Sequence, residues 1–237
     1  MTSSGPETGK IRSLFDSIAA DYDKLNHLLS LGVDRTWRRR ALKWIVEPGR
    51  AQKILDIACG TGDFSMAIAR KASPQSTVTG IDLSDGMLEV MKVKVRDAGL
   101  SDRISTEQGN CEQMPYPDAS FDCATIAFGI RNFQDREKSL REILRILRPG
   151  GRLVILELSV PSNKVLRWCY NLYFTRILPL IGGAVSGNRA AYRYLPASVL
   201  NFPGKKEWIA TMQSCGFRNV LHKSFTFGIC RMYVGEK

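Results

Sequence analysis

KILDIACGTGDF, residues 53–64, is the stretch whose reading decides the fold. Ile54, Leu55 and Ile57 form a short apolar run with Asp56 inside it. The turn Cys59-Gly60-Thr61-Gly62 follows at once, and a helix-compatible stretch runs from Asp63 to Lys71. A buried strand that leads through a glycine turn into a helix is how open α/β sheets present backbone N–H groups to a ligand. Gly60 and Gly62 remove Cβ atoms where a ligand must approach the backbone closely. The next apolar run, Thr77 to Ile81, ends in Asp82, 20 residues after Gly62. A carboxylate at the end of a second strand is placed to accept hydrogen bonds from a ribose diol.

That spacing alone serves nicotinamide dehydrogenases and S-adenosylmethionine (SAM) methyltransferases equally. A dinucleotide site asks for G-x-G-x-x-G, so that a pyrophosphate can rest on the helix N-terminus. Here the third position is Ser65, and Asp56 to Gly62 resembles the E/D-x-G/A-x-G-x-G motif of class I SAM-dependent methyltransferases. The plain alternative is a structural glycine turn with no ligand.

Outward from this unit, the chain alternates. Upstream, residues 1–9 are small and polar and are expected to be disordered. Ile11, Leu14, Phe15 and Ile18 then recur at helical spacing up to about Asp21. Asp34 is placed to cap a second helix, with Trp37, Ala41, Leu42 and Ile45 facing inward until Pro48-Gly49. Because both helices precede the first strand, they are expected over the sheet's carboxyl edge as a lid or substrate wall. Downstream come a helix from Gly86 to Ala98, a third strand from Arg103 to Glu107, and a nearly unbroken apolar strand from Phe121 to Phe128. This last strand reads as a central one and delivers Gly129-Ile130-Arg131-Asn132 to the edge that carries Gly60 and Asp82. An amphipathic helix from Asp135 to Arg148, stopped by Pro149-Gly150-Gly151, leads to a fifth strand from Arg152 to Val160. A helix from about Lys205 to Cys215 precedes two closing strands, near Val220–His222 and Phe225–Val234. An α/β sheet that ends in an antiparallel hairpin is the seven-stranded methyltransferase arrangement.

Composition narrows the class. A chain of 237 residues with 44% hydrophobic content can bury one substantial core. Its six cysteines form no C-x-x-C pair, which fits a reducing compartment and neither a zinc site nor a disulfide framework. No secretory signal and no apolar run of about 18 residues is present. The net charge of +11 is uneven: residues 51–160 carry 14 Lys/Arg against 15 Asp/Glu, whereas residues 161–237 carry 11 against 2. A basic last third suits nucleic acid, an anionic membrane face, or solubility alone. The stretch from Val165 to Ile181 interleaves aromatics with Arg167 and Arg176, so it reads as a helix lying on a bilayer or lining an apolar tunnel, or as an ordinary aromatic stripe on the core. Position 127 onward reads Ala127-Phe128-Gly129-Ile130, not the N/D-P-P-Y/F tetrapeptide of amino-methylating enzymes. That, and the lack of an RNA-binding module, weighs against a nucleic acid partner.

Taken together, Tyr22-Asp23 to Trp37, Phe128-Gly129-Ile130-Arg131-Asn132, Arg145 to Ser159 and Tyr192-Arg193-Tyr194-Leu195 resemble the ubiquinone/menaquinone biosynthesis C-methyltransferases, from about Lys10 to the C-terminus. The chain departs from that pattern at Leu25 (usually Met), Asp34 (usually His) and Ala127 (usually Ser). The resemblance implies a Rossmann-like methyltransferase: an N-terminal helical cap (10–49), a SAM-binding core (50–160), a helical insertion facing substrate and membrane (161–203), and a C-terminal helix with closing strands (204–237). It implies SAM, released as S-adenosylhomocysteine, against Asp56, Gly60, Thr61, Gly62, Asp82, Asn110, Cys111 and the backbone of Ala127, with no metal. Its substrate is a polyprenylated quinol methylated on a ring carbon, demethylmenaquinol in preference to the ubiquinone counterpart. The fit of Tyr192 to Val199, Phe202-Pro203 and Ser224 to Cys230 to bacterial menaquinone-pathway members favours that choice. A non-catalytic subunit built on the fold is the rival reading.

A quinol carbon is a weak nucleophile until a phenolic proton leaves. Arg131 is the candidate to stabilise the phenolate, with Asn132 as a second donor, and water or Asp23 as proton acceptor. Arg131 paired structurally with Asp135 is the alternative. Tyr22, Tyr192 and Tyr194 are candidates to hydrogen-bond the ring, whereas His27 and His222 are read as structural. A lipid substrate places the enzyme in the cytoplasm on the inner face of the membrane, with a homodimer left open.

Overall fold

The computed structural model describes residues 5–23, 26, 30, 32–173, 176 and 189–237, with the backbone alone at 169 and 189–193. Seven strands form one sheet: β1 (Lys53–Ile57), β2 (Thr77–Asp82), β3 (Ile104–Gln108), β4 (Phe121–Ala127), β5 (Leu147–Leu158), β6 (Arg218–Phe225) and β7 (Cys230–Glu236). Their order is β3-β2-β1-β4-β5-β7-β6, with β1 to β5 parallel and β7 antiparallel to both its neighbours. The expected α/β sheet with an antiparallel close is thus the observed one. β4 lies between β1 and β5 and is buried along almost its whole length, as its apolar run requires.

Helices cover both faces. On one side lie α2 (Val33–Ile45), α3 (Asp63–Lys71) and α4 (Asp85–Asp97), whose Trp37, Ile45, Phe64, Ile68 and Met91 join a core with Ile54 and Val154. On the other lie α5 (Arg136–Ile146) and α8 (Lys205–Ser214), where Leu140, Ile143, Trp208 and Met212 meet Leu55, Leu153 and Tyr233. Two further helices, α6 (Lys164–Leu172) and α7 (Arg189–Leu200), follow β5.

Four expectations change. The first helix, α1 (Thr8–Asp16), lies against α4 and over the sheet edge, but α2 packs on β4, β5 and β7 as part of a covering layer. Its apolar stripe faces the sheet, where burial is available, and only its first turns reach the edge. The cap position of α2 is Gly32, in the left-handed region at φ 72°, so Asp34 falls inside the first turn and is not the cap residue. Pro149-Gly150-Gly151 does not stop a helix. α5 ends at Ile146, Leu147 already pairs with Phe121, and the glycines let β5 shift register before Arg152 pairs with Cys123. Phe225 to Gly228 is not strand throughout. Thr226, Phe227 and Gly228 all have positive φ and form the turn between β6 and β7, held by a 2.8 Å bond from Trp37 Nε1 to Thr226 Oγ1. The expectations for His27, Phe174 and 177–188 fall outside the described residues.

Gly62 shows why glycine closes the decisive turn. Its φ is 83°, and a Cβ there would stand 2.5 Å from Met91 Cγ. Gly62→Ala is therefore expected to lower the unfolding free energy in urea by about 2 kcal/mol through strain and overpacking.

Candidate active site

The carboxyl ends of the strands converge on one edge. Gly60 N–H donates to Asp82 Oδ2 at 2.8 Å and Ser84 N–H to Asp82 Oδ1 at 2.9 Å, so one carboxylate ties the glycine turn to the end of β2. Burial raises the Asp82 pKa, and these backbone donors work against that rise. Beneath the turn, Asp56 is buried and accepts from Ser65 Oγ (2.5 Å) and Thr125 Oγ1 (2.8 Å). Burial pushes its pKa up to about 6, with both hydroxyls pulling it down. Ser65 thus stands where a dinucleotide site has glycine because its hydroxyl braces Asp56.

Gly60, Asp82, Asn110, Cys111 and Ala127 line a common cleft above this edge, roofed in part by Ile11 and Phe15 of α1. The Cys111 side chain is engaged elsewhere: Sγ lies 3.5 Å from Ser139 Oγ, and burial pushes the thiol up to about 12. Asn110 Oδ1 accepts from Glu112 N–H at 2.9 Å. Asp56, Thr61 and Asp23 line a smaller side compartment that also borders Gly60 and Ala127. There Thr61 Oγ1 donates to Asp23 Oδ1, and Lys94 Nζ reaches Asp23 Oδ2 (2.5 Å) and Asp63 Oδ1 (2.6 Å). Gly62 lines neither chamber; its role is the turn itself.

These groups fit SAM. A Cβ on Gly60 would come within 3.9 Å of the Tyr22 ring and fill the space between ring and turn. Asp82 offers acceptors for a ribose, the partly apolar cleft suits an adenine, and the charged compartment suits an amino-acid end. Among the described residues, no cluster of three or more His, Cys, Asp or Glu is placed to hold a metal ion.

A second chamber adjoins the first. It is a mainly apolar cavity of about 420 Å³ walled by Trp37, Phe128, Leu158, Leu166 and Ile229, with Tyr22, Asp34, Arg38 and Arg131 among its polar groups. Tyr22 borders the cleft, the compartment and this cavity. Its hydroxyl is bonded to the Asn26 side chain, and burial raises its pKa against the pull of Arg131. Phe128 also divides cleft from cavity, with φ at 64°. Arg131, 5% exposed, is fixed by Nη1 to Glu157 Oε1 (2.7 Å) and to the Phe128 carbonyl, and by Nε to Ser198 Oγ (3.2 Å). Burial works against its charge, but Glu157, Tyr22 and Tyr194 together outweigh it and the pKa lies above the usual value.

Its ion-pair partner is therefore Glu157; Asp135 instead caps α5, accepting from Lys138 N–H. Asn132 borders the cofactor cleft, not the cavity, and its Oδ1 accepts from Tyr194 OH at 2.8 Å. The side chain of Tyr192 lies outside the described residues. Sequence reasoning passed over Glu157, although a carboxylate in the apolar run of β5 is itself a signal. Phe128 gave none, since nothing in its residue type announces positive φ.

Sheet order, glycine turn, acidic β2 terminus and paired chambers define a class I SAM-dependent methyltransferase. The chain belongs to the ubiE/COQ5 methyltransferase family, whose profile matches residues 2–237. It is 50% identical to the ubiquinone/menaquinone biosynthesis C-methyltransferase UbiE of Geobacter sulfurreducens, over 96% of this chain and 88% of that protein. It is 40% identical to a demethylmenaquinone methyltransferase of Bacteroides fragilis, over 98% and 94%. Among solved structures, the [4+2]-cyclase SpnF superposes with a TM-score of 0.74 at 16% identity, over 100% of this chain and 98% of its own. A SAM-dependent methyltransferase from Aquifex aeolicus gives 0.62 at 17%, over 84% and 88%. At such identities the likeness is one of fold.

Asp56 generates a pH prediction. Its pKa is raised in the folded state, so the unfolded chain releases this proton first as pH rises. The stability this group contributes is full below about pH 4 and is lost by about pH 6, by an amount on the order of 3 kcal/mol. Urea unfolding across that window should show the wild type losing stability relative to Asp56→Asn; parallel curves for the two proteins would contradict the assignment.

Proposed function

We propose that this enzyme methylates a ring carbon of a polyprenylated quinol, with demethylmenaquinol as the acceptor, at the cytoplasmic face of the membrane. The observation that carries the reading is the apolar cavity beside the cofactor cleft, with a buried arginine in its wall. Relatives named demethylmenaquinone methyltransferase in Bacteroides fragilis and Deinococcus radiodurans, 40% and 45% identical, support the choice of quinone.

SAM, when bound, supplies a methyl group made electrophilic by its sulfonium. Asp82 and the Gly60 turn hold the ribose end, and Thr61 borders the compartment for the amino-acid end. The protein must then make the quinol carbon nucleophilic. Nη1 and Nε of Arg131 are taken by Glu157, the Phe128 carbonyl and Ser198, whereas Nη2 has no partner among the described residues. Its two N–H groups are available to a ring oxygen, where a fixed positive charge in an apolar wall favours the phenolate. Tyr22 and Phe128 frame the passage between donor and acceptor.

The route to the lipid follows from α6. Leu166, Tyr170 and Tyr173 line the cavity, and on its other side Val165, Trp168 (67% exposed) and Leu172 face out. Phe227, 79% exposed, extends this apolar rim, and Arg167 and Arg231 stand beside it in the basic last third. An apolar rim flanked by cations suits an anionic bilayer, from which a prenyl tail would enter the cavity.

Two measurements test these readings. Labelled SAM should methylate chemically reduced demethylmenaquinone, but neither the oxidised quinone nor bulk RNA. Arg131→Lys, which keeps a charge against Glu157, should lower kcat by about 100-fold with unchanged SAM affinity. SAM binding without transfer to any quinol would count against the proposal. In flotation assays, anionic vesicles should retain the protein at low salt and release a Trp168→Ala/Phe227→Ala double variant; equal retention of both would remove the proposed membrane face.

A further inference from the structure

Methylation through a phenolate, the reading on which this inference rests, needs a group to take the phenolic proton, and a guanidinium is a poor base. Asp23, the carboxylate expected from sequence, borders the cofactor compartment and not the cavity. Among its described lining residues, the cavity has one carboxylate, Asp34. The other ionisable groups facing it are the phenols of Tyr22, Tyr170 and Tyr173, each with a pKa raised by burial, and the guanidinium groups of Arg38 and Arg131.

Asp34 is 4% exposed, in the first turn of α2. An acidic residue in that turn normally serves the helix end, but here the cap is Gly32 and the carboxylate turns to other partners. Ser30 Oγ donates to Oδ1 at 2.7 Å, and Arg38 Nη1 donates to Oδ2. The same Nη1 stands 4.0 Å from Asp63 Oδ2, and Asp63 is held by Lys94 from α4. When Asp34 is neutralised, Arg38 keeps the carboxylate of Asp63 as a more distant neighbour.

We propose that Asp34 is the proton acceptor for the quinol. The phenolic O–H bond breaks, the proton goes to a carboxylate oxygen of Asp34, and the electron pair stays on the ring oxygen, which enriches the adjacent carbon. The negative charge moves from Asp34 to the phenolate, within the same cavity as Arg38 and Arg131, so the net charge there is unchanged. That carbon takes the methyl as the S–C bond breaks with its electrons left on sulfur. It then carries both H and CH₃; loss of the C–H proton to water restores the aromatic ring, and the ring oxygen recovers its proton from Asp34. One proton is released for each methyl delivered.

The test is single-turnover methyl transfer against pH at saturating SAM and reduced demethylmenaquinone, for wild type, Asp34→Asn and Asp34→Glu, with SAM affinity as the check on folding. The wild-type rate should fall on the acid side as Asp34 becomes protonated in the ternary complex. Asp34→Asn should bind SAM as the wild type does, be slower near neutral pH by about 100-fold or more, and recover as alkaline pH ionises the quinol itself. Asp34→Glu should keep the acid limb at an intermediate rate. An Asp34→Asn enzyme within about threefold of wild type, or one with the same acid limb, overturns the assignment, as does a loss confined to quinol affinity. Failure of the wild type to methylate any quinol would instead sink the proposed function.

Discussion

Arg131 and Glu157 form an ion pair almost wholly withdrawn from water, and both chambers take their shape from it. Glu157 stands in the apolar run of β5, where its carboxylate collects Arg131 Nη1, the Arg131 N–H and the Leu158 N–H. Breaking such a pair from one side typically costs about 3–5 kcal/mol, because the remaining charge is left uncompensated. What the pair secures is geometry. It pins the turn Ile130–Asn132 to β5, so that Arg131 borders the cavity while its neighbour Asn132 borders the cofactor cleft. Phe128 follows from the same constraint: its left-handed backbone hands its carbonyl to the guanidinium and sets its ring between the chambers.

The cofactor half of the site was legible because its chemistry is local in sequence. A strand, a glycine turn and a carboxylate 20 residues on are short-range patterns with one physical reading, and Gly60, Asp82, Asn110 and Ala127 do border one cleft. The acceptor half was legible only in pieces: Tyr22, Arg131 and the aromatic stretch holding Tyr170 stood out singly, but their meeting with Arg38 and Ile229 around one cavity exists only in three dimensions. Asp34 shows the difference sharply. Its residue type before an apolar stripe reads as a helix cap, but the left-handed Gly32, two residues earlier, takes that position. Pro149-Gly150-Gly151 misled in the same manner, since a register shift in a strand and a helix stop use the same residues.

The two sides of α6 join separate physical problems. Its inward side, with Leu166 and Tyr170, lines the cavity, and its outward side exposes Val165 and Trp168. A prenyl chain leaving a bilayer along such a helix would exchange one apolar contact for another. Desolvation would then fall mainly on the ring oxygens, and these are the atoms for which the wall holds fixed charge. On the proposed reading, a surface for the lipid and a surface for the reaction would be separated by the thickness of one helix.

The place of β7 has a consequence for how the chain is made. β7 lies between β5 and β6, yet it follows both in sequence. Until residues 230–236 have left the ribosome, β6 has no hydrogen-bonding neighbour in the sheet, and the flank of β5 remains an open edge. The nascent protein therefore carries a seam that closes only once β7 has emerged, and on the β5 side it closes by long-range pairing of the slow kind. Aggregation during production should be governed by that interval more than by the stability of the finished fold.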